Sequence, residues 1–217
     1  MTAGYAHWVP HGGYSNIPYA YGAPPWYPTY TYYVPQTPSY PSPPLFRAPR
    51  SVFPDVSKYL AVDTTLLKYD VRTPPDMGIN EGYYHYLSCR HAMTRASLST
   101  LHLISKDFPW KFTIKAADGN HVTCAEVWRA IYDGLGQDIE DSEWAIICAL
   151  GDKRKDEITE AAKSRCGEGE LRLKRIDWLG KRTTFVGIEI DADFAQSRCL
   201  PGGDDGQETL VVKMCYR

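Results

Sequence analysis

The stretch that decides the fold is residues 110–136, which read WKFTIKAADGNHVTCAEVWRAIYDGLG. From Trp110 to Ala116 apolar residues occupy alternate positions. Because side chains alternate across a strand, this pattern predicts a half-buried β-strand. Asp118-Gly119 then predicts a tight turn, since glycine adopts positive φ at little cost.

A capped helix is predicted directly after this turn. Thr123 and Glu126 have the spacing of a capping box, in which a hydroxyl and a carboxylate satisfy free N–H groups of the first helical turn. Apolar residues then recur at helical spacing, at Val127, Ile131 and Leu135. Gly134 and Gly136 are predicted to end the helix. The rest of the folded region must pack around this strand–turn–helix unit.

Composition limits the class of protein. The 217 residues have room for one ordinary domain plus extensions, and the net charge of −2 gives no overall attraction to nucleic acid. Six cysteines at irregular spacing, without a signal segment or glycosylation sequon, indicate reduced thiols in a cytoplasmic or nuclear protein. No apolar run is long enough to span a bilayer, so no membrane partner is expected.

Residues 1–46 contain no charged side chain; tyrosines alternate with prolines and glycines there, and Arg47 is the first charge. Repeated proline prevents a regular helix or a central strand. We therefore predict a disordered, partly polyproline-II tail over 1–46 and a globular domain over 47–217, with its core roughly at 62–190. The tail has three open interpretations: a passive extension, a self-associating tract of stacking tyrosines, or a carrier of linear motifs.

The best linear motif is Pro24-Pro25-Trp26-Tyr27, which matches the Pro-Pro-x-Tyr pattern that WW domains bind. Overlapping PxxP pairs follow, of the kind that SH3 domains bind, at Pro35, Pro38, Pro41 and Pro44. Pro24, Pro25, Trp26 and Tyr27 are therefore the partner-binding candidates.

Outside the opening stretch, apolar patterns predict further elements. Strands are expected at residues 66–71, 98–104 and 210–215, and helices at 141–150 and 153–166. A hairpin is expected over 171–179 and 183–190, with core candidates Ile176, Trp178, Val186, Ile188 and Ile190. Residues 81–95 are expected to be irregular and 201–207 to form a flexible loop. The predicted fold class is α+β: an antiparallel sheet of about five or six strands with two or three helices on one face.

Four pieces, in this order, carry a family resemblance: LKYD at 67–70, HAMT at 91–94, PW at 109–110 and RIDWL at 175–179. With them the region 62–190 resembles a fungal family of uncharacterised domains, domain of unknown function 6699. The resemblance implies a compact intracellular module after a low-complexity tail. The family has no established activity, so the resemblance implies no catalytic or cofactor residue.

The best metal-like grouping is His85, Cys89 and His91, with His102 beyond it. Zinc takes imidazole and thiolate ligands, but structural sites pair them from two segments, and no Cys-x2-Cys occurs here. Cys89 with His91 could also form a nucleophile and base, but nothing in the spacing supplies an orienting group. We therefore expect ordinary histidines, no metal, no cofactor and no catalytic residue.

Two charged groupings remain. Asp177 and Trp178 beside Arg175 and Arg182 are expected to be structural, with Trp178 in the core and Asp177 capping a turn or pairing with Arg175. A basic stripe could contact phosphates, at Lys153, Arg154, Lys155, Arg172, Lys174, Arg175, Lys181 and Arg182. Interleaved carboxylates cancel most of its field, which makes nucleic acid an unlikely partner.

The sequence favours a non-enzymatic protein-interaction or scaffold module whose tail self-associates or is recruited by a WW- or SH3-like reader. One alternative is single-stranded nucleic-acid binding through the basic stripe and the tail tyrosines. The other is an enzyme of unknown reaction, which a deep pocket lined by Asp70, His91, His102 or Asp177 would favour.

Overall fold

The computed structural model describes residues 51–94, 98–198 and 209–216. The predicted tail 1–46, its motif Pro24-Pro25-Trp26-Tyr27 and the predicted loop 201–207 lie outside the described residues and stay predictions.

Within the described residues the chain forms five strands, six α-helices and one 3₁₀ helix. The strands are β1 (Tyr69–Asp70), β2 (Thr100–Ser105), β3 (Phe112–Lys115), β4 (Thr184–Glu189) and β5 (Thr209–Cys215). The α-helices are α1 (Pro75–Gly78), α2 (Glu81–Ser88), α3 (Cys124–Gly136), α4 (Asp141–Ala149), α5 (Asp152–Cys166) and α6 (Ala192–Arg198). The 3₁₀ helix spans Arg175–Leu179.

The sheet is mixed, so the prediction of an antiparallel sheet is wrong. Its order is β1-β4-β5-β2-β3, and β5 runs antiparallel to β4 but parallel to β2. β5 lies between those two strands, and Leu210, Val211 and Val212 are all buried. A run of apolar residues without alternation is typical of a strand covered on both faces. The sequence predicted a strand at 210–215, but not its central position or its direction.

Helices cover both faces of the sheet rather than one. Leu103 and Leu210 pack into the main core, whereas Ile104 and Val211 point to the opposite face, as alternation across a strand requires. There Ala195 of α6, together with Phe194, covers them. The prediction of two or three helices on one face is therefore also wrong. Helix α6 was missed because its seven residues are too few to show a helical period in the sequence.

The predicted strand–turn–helix unit is confirmed. β3 buries Phe112 and Ile114 and exposes the residues between them. Gly119 has a φ of 74°, which the turn requires. In the capping box the Thr123 N–H donates to Glu126 Oε2 (2.7 Å) and the Glu126 N–H donates to Thr123 Oγ1 (3.3 Å). The core-facing residues of α3 are Val127, Trp128, Ile131 and Leu135, all buried.

Gly134 does not end the helix, contrary to the prediction. It lies within α3, where a Cβ atom would be 2.6 Å from Cε1 of Phe112. The missing side chain is what allows α3 to lie directly on β3. The helix ends two residues later, at Gly136, where a Cβ would meet nothing within 4 Å.

Residues 171–179 form no strand, so the predicted hairpin is wrong. The Lys174 N–H donates to Asp177 Oδ2 (2.8 Å) and closes a 3₁₀ turn, and Gly180 with a φ of 55° ends it. Asp177 therefore caps a turn, as predicted. Of the core candidates here, Ile176 is buried and Trp178 is half-buried.

β4 forms where predicted, but its buried face differs. The register shifts between Phe185 and Gly187, so Phe185 and Ile188 are buried while Ile190 is 39% exposed. Gly187 has a φ of 136°, and a Cβ there would lie 2.5 Å from Cα of Val62. A bulge inserts one extra residue, and the expected alternation of Val186, Ile188 and Ile190 fails for that reason.

Three other segments complete the comparison. The first predicted strand is reduced to the two residues of β1. Residues 81–95, expected to be irregular, contain α2, where the Tyr83 N–H donates to Asn80 Oδ1 (3.4 Å) at the N-cap. Helices α4 and α5 are confirmed. The missed N-cap was readable, since asparagine is among the preferred residues there.

Replacing Gly134 by alanine tests the contact between α3 and β3. We expect Gly134→Ala to lower the free energy of unfolding by about 1–3 kcal/mol, because the new methyl group overpacks the Phe112 ring. Gly136→Ala in the same helix is the matched control and should leave stability unchanged or slightly higher. Chemical denaturation measures both, and equal effects of the two changes would contradict the close approach.

Candidate functional site

The predicted metal-like residues are not brought together. Nε2 of the exposed His85 lies 3.9 Å from Oε1 of Glu81. The ring of His91 stacks on the ring of His121, with ring centroids 4.3 Å apart. His102 Nδ1 lies 3.0 Å from Thr113 Oγ1, on the β2–β3 pair. Within residues 51–94, 98–198 and 209–216, no three His, Cys, Asp or Glu side chains are grouped so that they could hold a metal ion.

The cysteines of the described segments are free thiols. Cys89 and Cys148 are exposed, Cys166 and Cys215 are partly buried, and Cys124 is buried at the start of α3. Burial raises the pKa of the Cys124 thiol to about 12, although a hydrogen bond with Ser57 acts in the opposite direction. Cys124 therefore stays protonated at neutral pH and behaves as a small core residue.

Asp177 pairs with Arg165 and not with Arg175, which corrects that part of the prediction. Arg165 Nε donates to Asp177 Oδ1 and its Nη2 to Oδ2, both at 2.9 Å, in a bidentate pair. The Asp177 side chain is only 2% exposed, and Oδ2 also accepts the Lys174 N–H. This carboxylate is therefore fully engaged in holding α5 against the 3₁₀ helix.

Two tryptophans and two arginines contact one another and form a group that we call the tryptophan–arginine cluster. The rings of Trp110 and Trp178 meet edge to face, with centroids 5.9 Å apart. Arg154 lies over Trp178 at 4.1 Å and Arg175 over Trp110 at 5.3 Å. Such cation–π contacts favour a fixed position of each guanidinium.

Asp107 holds the Trp178 side of the cluster. The Trp178 indole N–H donates to the Asp107 carbonyl (2.9 Å), and Arg182 Nη1 donates to Asp107 Oδ1 (3.1 Å). Oδ2 of Asp107 accepts the Met214 N–H of β5 (3.2 Å). The sequence pattern grouped Arg182 with Asp177, but in the structure Arg182 forms an ion pair with Asp107.

Glu143 connects the cluster to α4. Its carboxylate accepts hydrogen bonds from the Trp110 indole N–H (2.9 Å) and from Arg175 Nη2 (2.6 Å). Burial acts to raise the pKa of Glu143, but Arg175, the Glu140 N–H and Trp110 outweigh it, so the pKa lies below its usual value. The charged form of Glu143 thus fixes α4 to the body.

The outer side of α4 is apolar and uncovered. We define the α4 apolar face as Ala145, Ile146, Ala149 and Leu150; Ile146 is 66% exposed and Leu150 is 64% exposed. Only Ile147 of this helix is buried. The second half of α4 is apolar on several sides, and neighbouring exposed apolar side chains commonly mark a contact surface, so among the described residues this face is the strongest candidate for one.

The basic stripe is largely neutralised by ion pairs. Four of its arginines each pair with a carboxylate: Arg154 with Glu157, Arg172 with Glu170, Arg175 with Glu143 and Arg182 with Asp107. Lys153, Lys155 and Lys181 remain exposed.

Two clefts are described, and both are open. One, of about 690 Å³, is lined by Asp76, Glu81, Tyr84 and Arg129 among others. The other, of about 490 Å³, includes Cys89 and His91. Of the residues expected to mark an enzyme pocket, only His91 lines either cleft; Asp70, His102 and Asp177 line neither. Within the described residues, no helix has the length and apolar character needed to cross a membrane.

The fold and the cluster together define a mixed α/β module in which Glu143 fixes α4 to Trp110 and Arg175 of the cluster. The chain belongs to the family of unknown function DUF6699, whose model matches residues 67–201. This range contains the whole tryptophan–arginine cluster and α4, and it confirms the family resemblance. No curated protein and no solved structure matches the chain significantly.

The sequence marked part of this site. Pro109-Trp110 and RIDWL at 175–179 were its most specific pieces, and they contribute three of the cluster residues. Glu143 and Arg154 were missed, because no local pattern relates them to tryptophans more than twenty residues away. Seven apolar residues in succession, at 144–150, are the sequence signal for the exposed face.

Protonation of Glu143 should be visible in the pH dependence of stability. Because the pKa of Glu143 is lowered in the folded protein, its ionised carboxylate stabilises the fold fully above about pH 4.3, the ordinary pKa of glutamate. This stabilisation is lost as the pH falls through the lower pKa that Glu143 has in the folded protein. We expect Glu143→Gln to cost about 1–2 kcal/mol at pH 7, with the difference from the parent protein shrinking toward pH 3.

Thermal melting across this pH range measures the effect. Glu168→Gln, at an exposed position, is the control and should follow the parent at every pH. A Glu143→Gln deficit that stays constant down to pH 3 would contradict the role given to the ionised carboxylate.

Proposed function

We propose that this protein is a non-enzymatic interaction module and that its α4 apolar face binds a second copy of the chain. The observation that carries the proposal is the exposure of Ile146 and Leu150 on a helix of fixed position. Burying an aliphatic side chain removes apolar area from water, at about 25 cal/mol per Å². These two side chains gain that energy only when another protein covers them.

Rigidity of α4 supports this use. Glu143 is bonded to Trp110 and Arg175, and Glu140 and Glu143 form a capping box at the start of the helix. A contact helix already held in place loses little further entropy when it binds, so more of the burial energy contributes to affinity.

The charges that flank α4 favour a second copy as the partner. Exposed carboxylates precede and begin the helix, at Asp138, Glu140 and Asp141. The exposed lysines Lys153 and Lys155 follow it, next to the exposed carboxylates of Asp152 and Asp156. A two-fold axis perpendicular to α4 pairs the helices antiparallel, so the carboxylates at the start of α4 in each copy can pair with Lys153 and Lys155 of the other.

The α4 contact buries a small area, so the affinity between the two copies is expected to be low. α4 has nine residues and presents four apolar side chains, and interfaces below about 1,200 Å² are typical of weak, transient complexes. We therefore expect a dimer in rapid exchange with the monomer, with occupancy that depends on concentration.

The tail supplies a second, separate contact in this proposal. Pro24, Pro25, Trp26 and Tyr27 remain the residues that a WW-like reader would bind, and self-association of the tail tyrosines remains an alternative. We place the protein in the cytoplasm or nucleus; free thiols among its described cysteines support a reducing compartment.

Oligomeric mass of the full chain tests the α4 contact. We expect the average mass from sedimentation equilibrium to rise with concentration in the parent protein and to stay near the monomer in Ile146→Glu/Leu150→Glu, because the new carboxylates would be buried unpaired. Leu66→Glu is the matched control, since Leu66 is 89% exposed and lies outside the face. It should associate like the parent.

Charge reversal separates this interface from association through the tail. Lys153→Glu/Lys155→Glu should weaken the dimer, and adding Asp138→Lys/Asp141→Lys should restore it. Failure of the second pair to rescue would exclude the antiparallel arrangement. Association that Ile146→Glu/Leu150→Glu does not change would overturn the α4 proposal and assign self-association to another part of the chain.

A further inference from the structure

The cleft of about 490 Å³ lies between the loop that begins the described chain and the segment after α2. Its two walls are joined by backbone hydrogen bonds: the Ser57 N–H donates to the Ala92 carbonyl (2.9 Å), and the Thr94 N–H donates to the Asp55 carbonyl (2.8 Å). The cleft is therefore formed in advance of any ligand, and its volume is in the range of small-molecule sites, about 300–1,000 Å³.

Basic groups line this cleft without acidic ones. Among the described residues its lining includes Lys58, Arg90 and His91 and contains no aspartate or glutamate. Two carboxylates lie near this loop. Asp63 accepts hydrogen bonds from the Ser51 hydroxyl (2.8 Å) and the Val52 N–H (2.6 Å), and Asp55, whose Oδ1 is buried, stands between the lining residues Pro54 and Val56. We call this site the basic groove.

Lys58 and Arg90 contact aromatic rings of the described chain. Most described arginines pair with a carboxylate, as in Arg72–Asp70, Arg154–Glu157 and Arg165–Asp177, whereas few described lysines do, Lys106 and Lys213 being examples. Lys58 instead lies 5.0 Å from the ring centre of Tyr59, and Arg90 lies 4.9 Å from that of Tyr86. Within residues 51–94, 98–198 and 209–216, neither has a carboxylate within ion-pair distance. Their charge is therefore available to a ligand.

The pKa of Tyr86 reflects the positive charges beside this cleft. The hydrogen bond with Tyr59, followed by the charges of Arg90 and Lys58, lowers the pKa of the Tyr86 phenol below its usual value. The two rings meet edge to face, with centroids 6.4 Å apart. An acidic group is therefore stabilised in its charged form beside the groove, which is the effect that an anionic ligand would also experience.

We propose that the basic groove binds a small molecule that carries a phosphate monoester. Such a group has a charge of about −1.5 to −2 at neutral pH, which matches Lys58 and Arg90 together and exceeds that of one carboxylate. The planar fork of Arg90 can donate two parallel hydrogen bonds to phosphate oxygens, and Lys58 acts as a point charge. His91 can donate a further bond from one ring nitrogen even when it is neutral.

Calorimetric titration of the full chain with phenyl phosphate and with inorganic phosphate tests this. We expect saturable binding of phenyl phosphate, and Arg90→Ala and Lys58→Ala should each weaken it by about tenfold or more, as the loss of a charge-assisted hydrogen bond predicts. Tighter binding of phenyl phosphate than of inorganic phosphate identifies an organic monoester as the ligand class. Equal binding identifies free phosphate.

Two controls make the outcome decisive. Lys153→Ala/Lys155→Ala removes two exposed charges far along the chain and should leave the affinity unchanged. Arg90→Lys keeps the charge but loses the planar fork, so an intermediate affinity is expected.

Absence of saturable heat, or equal weakening in the Lys153/Lys155 variant, would overturn the proposal. Ile146→Glu/Leu150→Glu should bind phenyl phosphate normally, which keeps this test independent of the α4 contact.

Discussion

One carboxylate, that of Glu143, attaches α4 to the body. It accepts hydrogen bonds from the indole N–H of Trp110, just before β3, and from the guanidinium of Arg175 in the 3₁₀ helix. Three segments that are distant in sequence therefore meet at a single charged group. Because the ion pair is mostly shielded from water, it is stronger than a surface pair, and removing one partner would leave the other uncompensated.

The local parts of this fold were readable from the sequence. Alternating residues in β3, the glycine of the turn and the Thr123–Glu126 box each act within a few residues, so their signals are complete in a short window. Long-range contacts were not readable. Gly134 was taken as a helix end because its real partner, the Phe112 ring, comes from another element.

The same limit applies to the candidate sites. The sequence grouped Asp177 with Arg175 because they are neighbours, whereas the structure pairs Asp177 with Arg165 across two elements. The sequence predicted the strand at 184–189, but the bulge at Gly187 changes which of its residues face the core. The basic groove was not predicted at all, since Lys58 and Arg90 are thirty residues apart and neither belongs to a motif.

The position of β5 has a consequence for how the protein is made. β5 is the centre of the sheet, yet it follows every other strand in the chain, so β2 and β4 have no common neighbour until it has left the ribosome. A sheet without β5 would leave the edges of β2 and β4 open, and such edges pair readily with other chains. The five-stranded sheet can therefore close only after its last strand has been synthesised.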